Sequence, residues 1–146
     1  MTSYNNPSKS LDGTPTAGDY QALATFRLAL RRFMVFSESA AIEAGLRPQQ
    51  HQALLIIKAL SILSPPSVGE VAEHLLLRHH SAVELINRLV RMDLLLRFRD
   101  PEDRRRVRVA LTPLGEEKLA VLATAHLEEL RAVRPLLIKL LRHFDS

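Results

Sequence analysis

The chain has 146 residues, enough for one compact domain with extended helical arms, with 47% apolar and 25% charged residues and a net charge of +4. It holds no cysteine, which excludes disulfides, thiol nucleophiles, Cys-based zinc sites and thiol redox sensing. No run of about 18 apolar residues is available to span a membrane. No charged segment followed by an apolar core marks a secretion signal, so the expected location is the cytoplasm.

In chain order, residues 1–18 are polar and rich in Ser, Thr, Pro and Gly, and are expected to form a disordered or loosely docked tail. From Asp19 to Ala44 apolar residues recur at Leu23, Phe26, Leu30 and Phe33, then Ala40, Ala41 and Ala44, the spacing of one helix face. Gly45 ends that helix and Pro48 starts a second, with Leu54, Leu55, Ile57 and Leu60 expected inward. Ser64 to Ser67, SPPS, breaks the chain.

Ser67 to Glu70, SVGE, reads as a capping box, with Ser67 accepting from the first turn and Glu70 reaching back. It opens a third helix from Val68 to about Leu75, bearing Val71, Leu75 and Leu76. A turn through Leu77 and Arg78 leads to a fourth helix, about His79 to Met92, with Ala82, Leu85, Ile86, Leu89 and Val90 as its apolar stripe. The opposite face carries His79, His80, Val83, Glu84, Asn87 and Arg91. Asp93 stands where a left-handed stop is expected.

Leu94 to Arg99 reads as a strand, DPED as a turn, and Arg105 to Thr112 as a second strand with Val107, Val109 and Leu111 on one face. Thr112-Pro113 is an N-cap and first-position pair for a long helix. Pro135 is expected to break or restart that helix before the stripe Leu136, Leu137, Leu140, Leu141 and Phe144.

Helix, helix, helix-turn-helix, two-stranded ribbon and long helix make a winged helix-turn-helix, mainly α with a small β-wing. Its fourth helix would lie in a major groove of DNA, and its ribbon tip at phosphates or the neighbouring minor groove. Charge agrees. Between Arg78 and Arg108 nine arginines face five acids, a local +4, so the rest of the chain sums to zero. A basic region on a neutral body fits a polyanion-binding face; solvated surface charge is the plainer alternative.

Asp100, Asp103 and Arg105 match the pattern D-x-x-D-x-R, and Leu111, Thr112 and Gly115 match L-T-x-x-G across an alternating strand. LRPQQHQALLIIKAL is similar to L-T-x-x-Q-x-x-x-L-x-x-L. On these residues the chain resembles the MarR family of bacterial transcription regulators, from about Asp19 to Phe144. The resemblance implies a single domain over 19–146. Helices 19–45 and 113–146 would serve dimerisation, around a winged helix-turn-helix at 48–112.

It further implies that the wing arginine enters a narrow minor groove, braced by the aspartate, which selects Asp103, Arg104, Arg105 and Arg106. Exposed ion pairing of these arginines with Asp100, Glu102 and Asp103 is the bland alternative. On the fourth helix the candidate base readers are Arg78, His79, His80, Ser81, Val83 and Glu84. Arg78 replaces the small hydroxyl residue that usually caps this helix in the family. Glu84 often has a basic or small counterpart there, and beside DNA it must accept from cytosine N4 or be braced by a cation.

Leu23, Phe26, Leu30, Leu136, Leu137, Leu140, Leu141 and Phe144 are the expected dimer contacts, too apolar as a set to face water. Intramolecular packing of the two ends is the competing reading. The implied function is a sequence-specific DNA-binding homodimer, more a repressor than an activator, on a pseudo-palindromic site. Family members often respond to small aromatic or phenolic acids. Phe26, Phe33, Met34, Arg47 and His51 are the candidate lining for such an effector, equally readable as core and rim.

No cofactor or metal site is expected. His79 and His80 are adjacent on a helix and point about 100° apart, a poor chelating pair. No phosphate-cradling Gly-rich loop and no nucleophile–base pair supports an enzyme. The remaining alternative is a winged-helix protein-interaction module whose basic face meets an acidic protein partner.

Overall fold

The computed structural model describes residues 12–145. Most of the expected tail, residues 1–11, and residue 146 lie outside the described residues. The elements are α1 (Ala17–Glu43), α2 (Pro48–Leu60), α3 (Val68–Leu75), α4 (His79–Arg91), β1 (Leu95–Arg99), β2 (Val107–Leu111) and α5 (Pro113–His143). They divide into two units, residues 38–125 and residues 12–37 with 126–145. The fold is the expected one, mainly helical with a small antiparallel ribbon.

The central unit, 38–125, contains the winged helix. Leu54 and Ile57 of α2, Val71 of α3, Ile86 and Leu89 of α4, Leu94, Leu95 and Val109 are all but inaccessible to water and form its core. The helix-period stripes of α3 and α4 meet the alternating face of the ribbon there, so each element buries the side that its sequence makes apolar. β1 and β2 pair antiparallel with Leu95 opposite Leu111 and Arg99 opposite Val107. Ser67 forms a bridge with Arg108, and the Val109 amide donates to the Pro66 carbonyl at 3.0 Å. The ribbon therefore grows from the loop that precedes the helix-turn-helix.

The base of the ribbon is closed by local chemistry. Asp93 adopts the left-handed conformation at φ 59°. Thr112 Oγ1 donates to the Asp93 carbonyl at 2.6 Å and accepts from the Gly115 amide at 3.0 Å, capping α5.

Four local expectations are corrected. Leu55 and Leu76 are exposed rather than inward. Leu55 falls outside the strip of α2 that holds Leu54 and Ile57, and Leu76 is thrown outward by a left-handed backbone at φ 55°. Pro135 sits inside a continuous α5. Its ring removes one amide, but Pro135 and Arg131 are exposed, so the freed carbonyl four residues back faces water. The second strand begins at Val107, not Arg105, because Asp103 claims the amides of Arg105 and Arg106 for a turn.

The second unit holds the first part of α1 and the last part of α5. Thr16 and Asp19 cap each other: the Thr16 amide donates to Asp19 Oδ2 at 2.8 Å, and the Asp19 amide donates to Thr16 Oγ1 at 3.2 Å. The other Asp19 oxygen meets His143 Nε2 at 2.8 Å. Phe26 stands edge-on to Phe144 with ring centres 6.5 Å apart, and His126 stands edge-on to Phe33 and Phe36. Ala22, Ala29 and Leu140 are buried. The two chain ends therefore do pack on each other within one chain, and Leu140 belongs to that contact.

Candidate nucleic-acid interface

The surface that the sequence singles out is carried entirely by the unit 38–125. Ser67 caps α3, its Oγ accepting from the Glu70 amide at 3.2 Å. The turn into α4 is made by left-handed Leu76, after which the Leu77 amide returns to the Ala72 carbonyl at 3.0 Å. Arg78 occupies the N-cap of α4 with extended backbone and no side-chain cap, since a guanidinium has no acceptor to offer. Its charge is left to the solvent side.

Along α4, Ala82, Leu85, Ile86 and Leu89 are buried. His79, His80 and Glu84 are exposed, and Ser81 and Val83 are half-buried. Arg78 to Glu84 thus present polar and small side chains at the start of the helix, where a groove-bound helix meets base edges. Asn87, one turn further on, is occupied: its side-chain oxygen accepts from Arg97 of β1. No group of three His, Cys, Asp or Glu among the described residues is arranged to hold a metal.

The ribbon tip is a tight turn over Asp100 to Arg106. The Asp100 amide donates to the Arg106 carbonyl at 2.9 Å, and the Arg106 amide to the Asp103 carbonyl at 3.0 Å. Asp103 Oδ1 accepts from the Arg105 amide at 3.1 Å. Asp103 therefore braces the backbone of Arg105 rather than its guanidinium. Arg99 donates to the Arg104 carbonyl at 2.8 Å, drawing in the turn from the other strand.

The tip arginines have different fates. Arg104 and Arg105 are exposed and make no ion pair among the described residues. Arg106 donates to Glu70 Oε1 of α3 at 2.9 Å, so Glu70 binds the ribbon and does not reach back to close the expected capping box. Arg108 donates to Asp100 Oδ2 at 2.9 Å and to the Pro65 carbonyl, with both side chains of the ion pair largely buried. Asp100 is held below the usual carboxylate range, first by the Glu102 amide and then by Arg108, against an opposing effect of burial. Among the described residues, Arg104, Arg105 and Arg106 form no ion pair with Asp100, Glu102 or Asp103; Arg106 pairs instead with Glu70 of α3.

Between the helix-turn-helix and the ribbon lies an open groove of about 400 Å³, lined by Ser67, Val68, Gly69, His79, Val83, Arg97, Arg105, Arg106 and Val107. It joins the start of α4 to the ribbon tip as one surface. The sequence marks Glu70 only as a capping-box acid, and it does not mark Arg97 or Arg99 as site residues. The alternation of arginines on the first strand names no partners. Of the proposed effector lining, Phe26 and Phe33 belong to one unit and Arg47 and His51 to the other. His51 is buried, and the Arg47 amide donates to Gln50 Oε1 at 2.9 Å. No helix among the described residues is long and apolar enough to cross a membrane.

A model of the MarR family matches residues 44–106. Among solved structures the chain is similar to MepR, a transcription regulator of the Staphylococcus aureus multidrug efflux pump MepA. The identity is 18% over 80% of this chain and 83% of that one, with a TM-score of 0.70. It is also similar to a DNA complex of S. aureus MepR, at 18% identity over 77% of this chain and 82% of that one, TM-score 0.65. A probable transcriptional regulator from Pseudomonas aeruginosa is 26% identical over 80% of this chain and 86% of its own, TM-score 0.60. No curated protein matches.

Proposed function

We propose that this chain is a member of the MarR family, whose model its residues 44–106 match, and that it binds duplex DNA sequence-specifically as a homodimer and represses transcription. The observation that carries the reading is the pair of guanidiniums, Arg104 and Arg105, without ion-pair partners among the described residues, on a ribbon tip that shares one groove-lined surface with the exposed start of α4. That a solved relative of the same fold is in complex with DNA supports it.

In this reading Arg78, His79, His80, Ser81, Val83 and Glu84 meet base edges, with Glu84 accepting from cytosine N4. Arg104 and Arg105 meet phosphates or a narrow minor groove, where negative potential is enhanced. Asp103 acts through the turn it closes. Leu23, Leu30, Leu136 and Leu141 are exposed apolar side chains of the unit 12–37 with 126–145, and a second copy would cover them. Phe26, Leu137 and Phe144 are shared between that contact and packing within the chain. Two-fold symmetry then calls for an inverted-repeat site with half-sites about one helical turn apart. A small aromatic or anionic effector would release the operator only by binding one arrangement of the dimer better than the other.

Selection of bound sequences from a random duplex pool tests this. An enriched inverted repeat supports the reading. Failure to bind any duplex overturns it in favour of a winged-helix module for an acidic protein.

A further inference from the structure

We infer that Glu70 is a positioning and specificity-determining residue, which holds Arg106 out of the phosphate-contacting set and fixes the ribbon against the helix-turn-helix. The inference rests on the DNA-binding reading above.

The ribbon is tied to the rest of its unit along its length. Leu95 and Val109 sit in the core, the Val109 amide is bound by the Pro66 carbonyl, Arg108 donates to the Pro65 carbonyl, and Arg97 of β1 donates to Asn87 of α4. These contacts hold the two strands and leave the turn beyond Val107 to be fixed. The tie nearest the tip is Arg106 to Glu70 at 2.9 Å, just before the start of β2. Glu70 is itself fixed, since its amide is held by Ser67 Oγ in the first turn of α3. As the tie nearest the tip, this pair sets where the turn bearing Arg104 and Arg105 stands relative to α3.

The pair also sorts charge. Three consecutive arginines on a free tip would grip any polyanion. Here one of the three is neutralised by a carboxylate carried on α3. If Arg106 left Glu70 for a phosphate, it would strand that carboxylate beside the DNA backbone, where like charges repel. The exchange is therefore opposed, and the tip offers two cations in a set direction instead of three in any direction. Such a restraint favours the duplex whose shape suits the set direction over random duplexes.

The test is the salt dependence of full-chain binding to a selected duplex and a random one, between about 50 and 200 mM salt. Arg105→Gln should make the log–log slope shallower by about 0.9 per subunit, the loss of one phosphate contact. Arg106→Gln should leave the slope in place and lower the ratio of selected to random affinity. Glu70→Gln should free Arg106, steepen the slope by about 0.9 per subunit and tighten random-duplex binding. Exchanging the pair, Glu70→Arg with Arg106→Glu, should restore the affinity ratio, which separates this role from a folding defect. A slope loss for Arg106→Gln equal to that of Arg105→Gln overturns the inference, as does a Glu70→Gln protein with unchanged slope and ratio. A wild-type chain that binds neither duplex overturns the parent reading and this one with it.

Discussion

Gly115 lies directly beneath the carbonyl of Leu94: a β-carbon on residue 115 would stand 2.2 Å from that oxygen. The Leu94 oxygen also accepts from the Thr112 amide at 3.1 Å, so it cannot retreat without opening the junction of ribbon and α5. Gly115→Ala should therefore destabilise the unit 38–125 by about 2 kcal/mol or more, since forcing atoms into a packed site typically costs 1–3 kcal/mol. A urea unfolding midpoint checks this, and a midpoint equal to wild type would contradict the close approach.

Leu76 and Asp93 both take left-handed backbone, at φ 55° and 59°. The conformation costs an ordinary L-residue about 1–2 kcal/mol, less for Asp, whose short polar side chain tolerates it. Leu76 is 93% exposed, so little packing is lost on its removal. Leu76→Gly should stabilise the protein by roughly 0.5 kcal/mol after the added freedom of the unfolded glycine is subtracted. Asp93→Gly should gain less. The ordering of the two melting temperatures is the measurement.

Asp100 in the central unit and Asp19 in the other unit are both held below the ordinary carboxylate value of 3.8, chiefly by the amides of Glu102 and Thr16 respectively. The folded protein thus binds fewer protons than the unfolded chain in acid. Their contribution to stability is present in full above the unfolded value and is lost as pH falls through the lower folded values. Asp100→Asn should lower stability at neutral pH and flatten the loss of stability below about pH 4. Chemical denaturation at a series of pH values reads this directly, and parallel curves for the two proteins would refute it.

Arg105 is held in its turn by its amide, which donates to Asp103, and it is exposed. Arg105→Ala should weaken duplex binding while changing stability by no more than about 0.5 kcal/mol, the usual range for such surface positions. Equal affinity of variant and wild type at physiological salt would remove the ribbon tip from the interface.

Leu30 and Leu141 are 48% and 55% exposed. If the proposed homodimer uses this face, carboxylates at both positions, Leu30→Glu with Leu141→Glu, should drive the chain to a monomer and abolish binding to an inverted repeat while leaving helix content in place. Sedimentation velocity and circular dichroism together decide it.

The order of elements was legible in the chain because it rests on local properties. Helix-spaced stripes, the Ser67 and Thr112 caps, and Gly45 and Asp93 as stops act within a few residues of themselves. So does the DPED turn, which concentrates cations at the apex. What the tertiary structure alone decided was how those cations divide. Glu70 is 36 residues from Arg106, and Pro65 is 43 from Arg108. No periodicity carries such a pairing, because it depends on which surfaces meet when the core closes. The same closure left Leu55 facing solvent, since burial depends on which neighbours the fold supplies to a side chain.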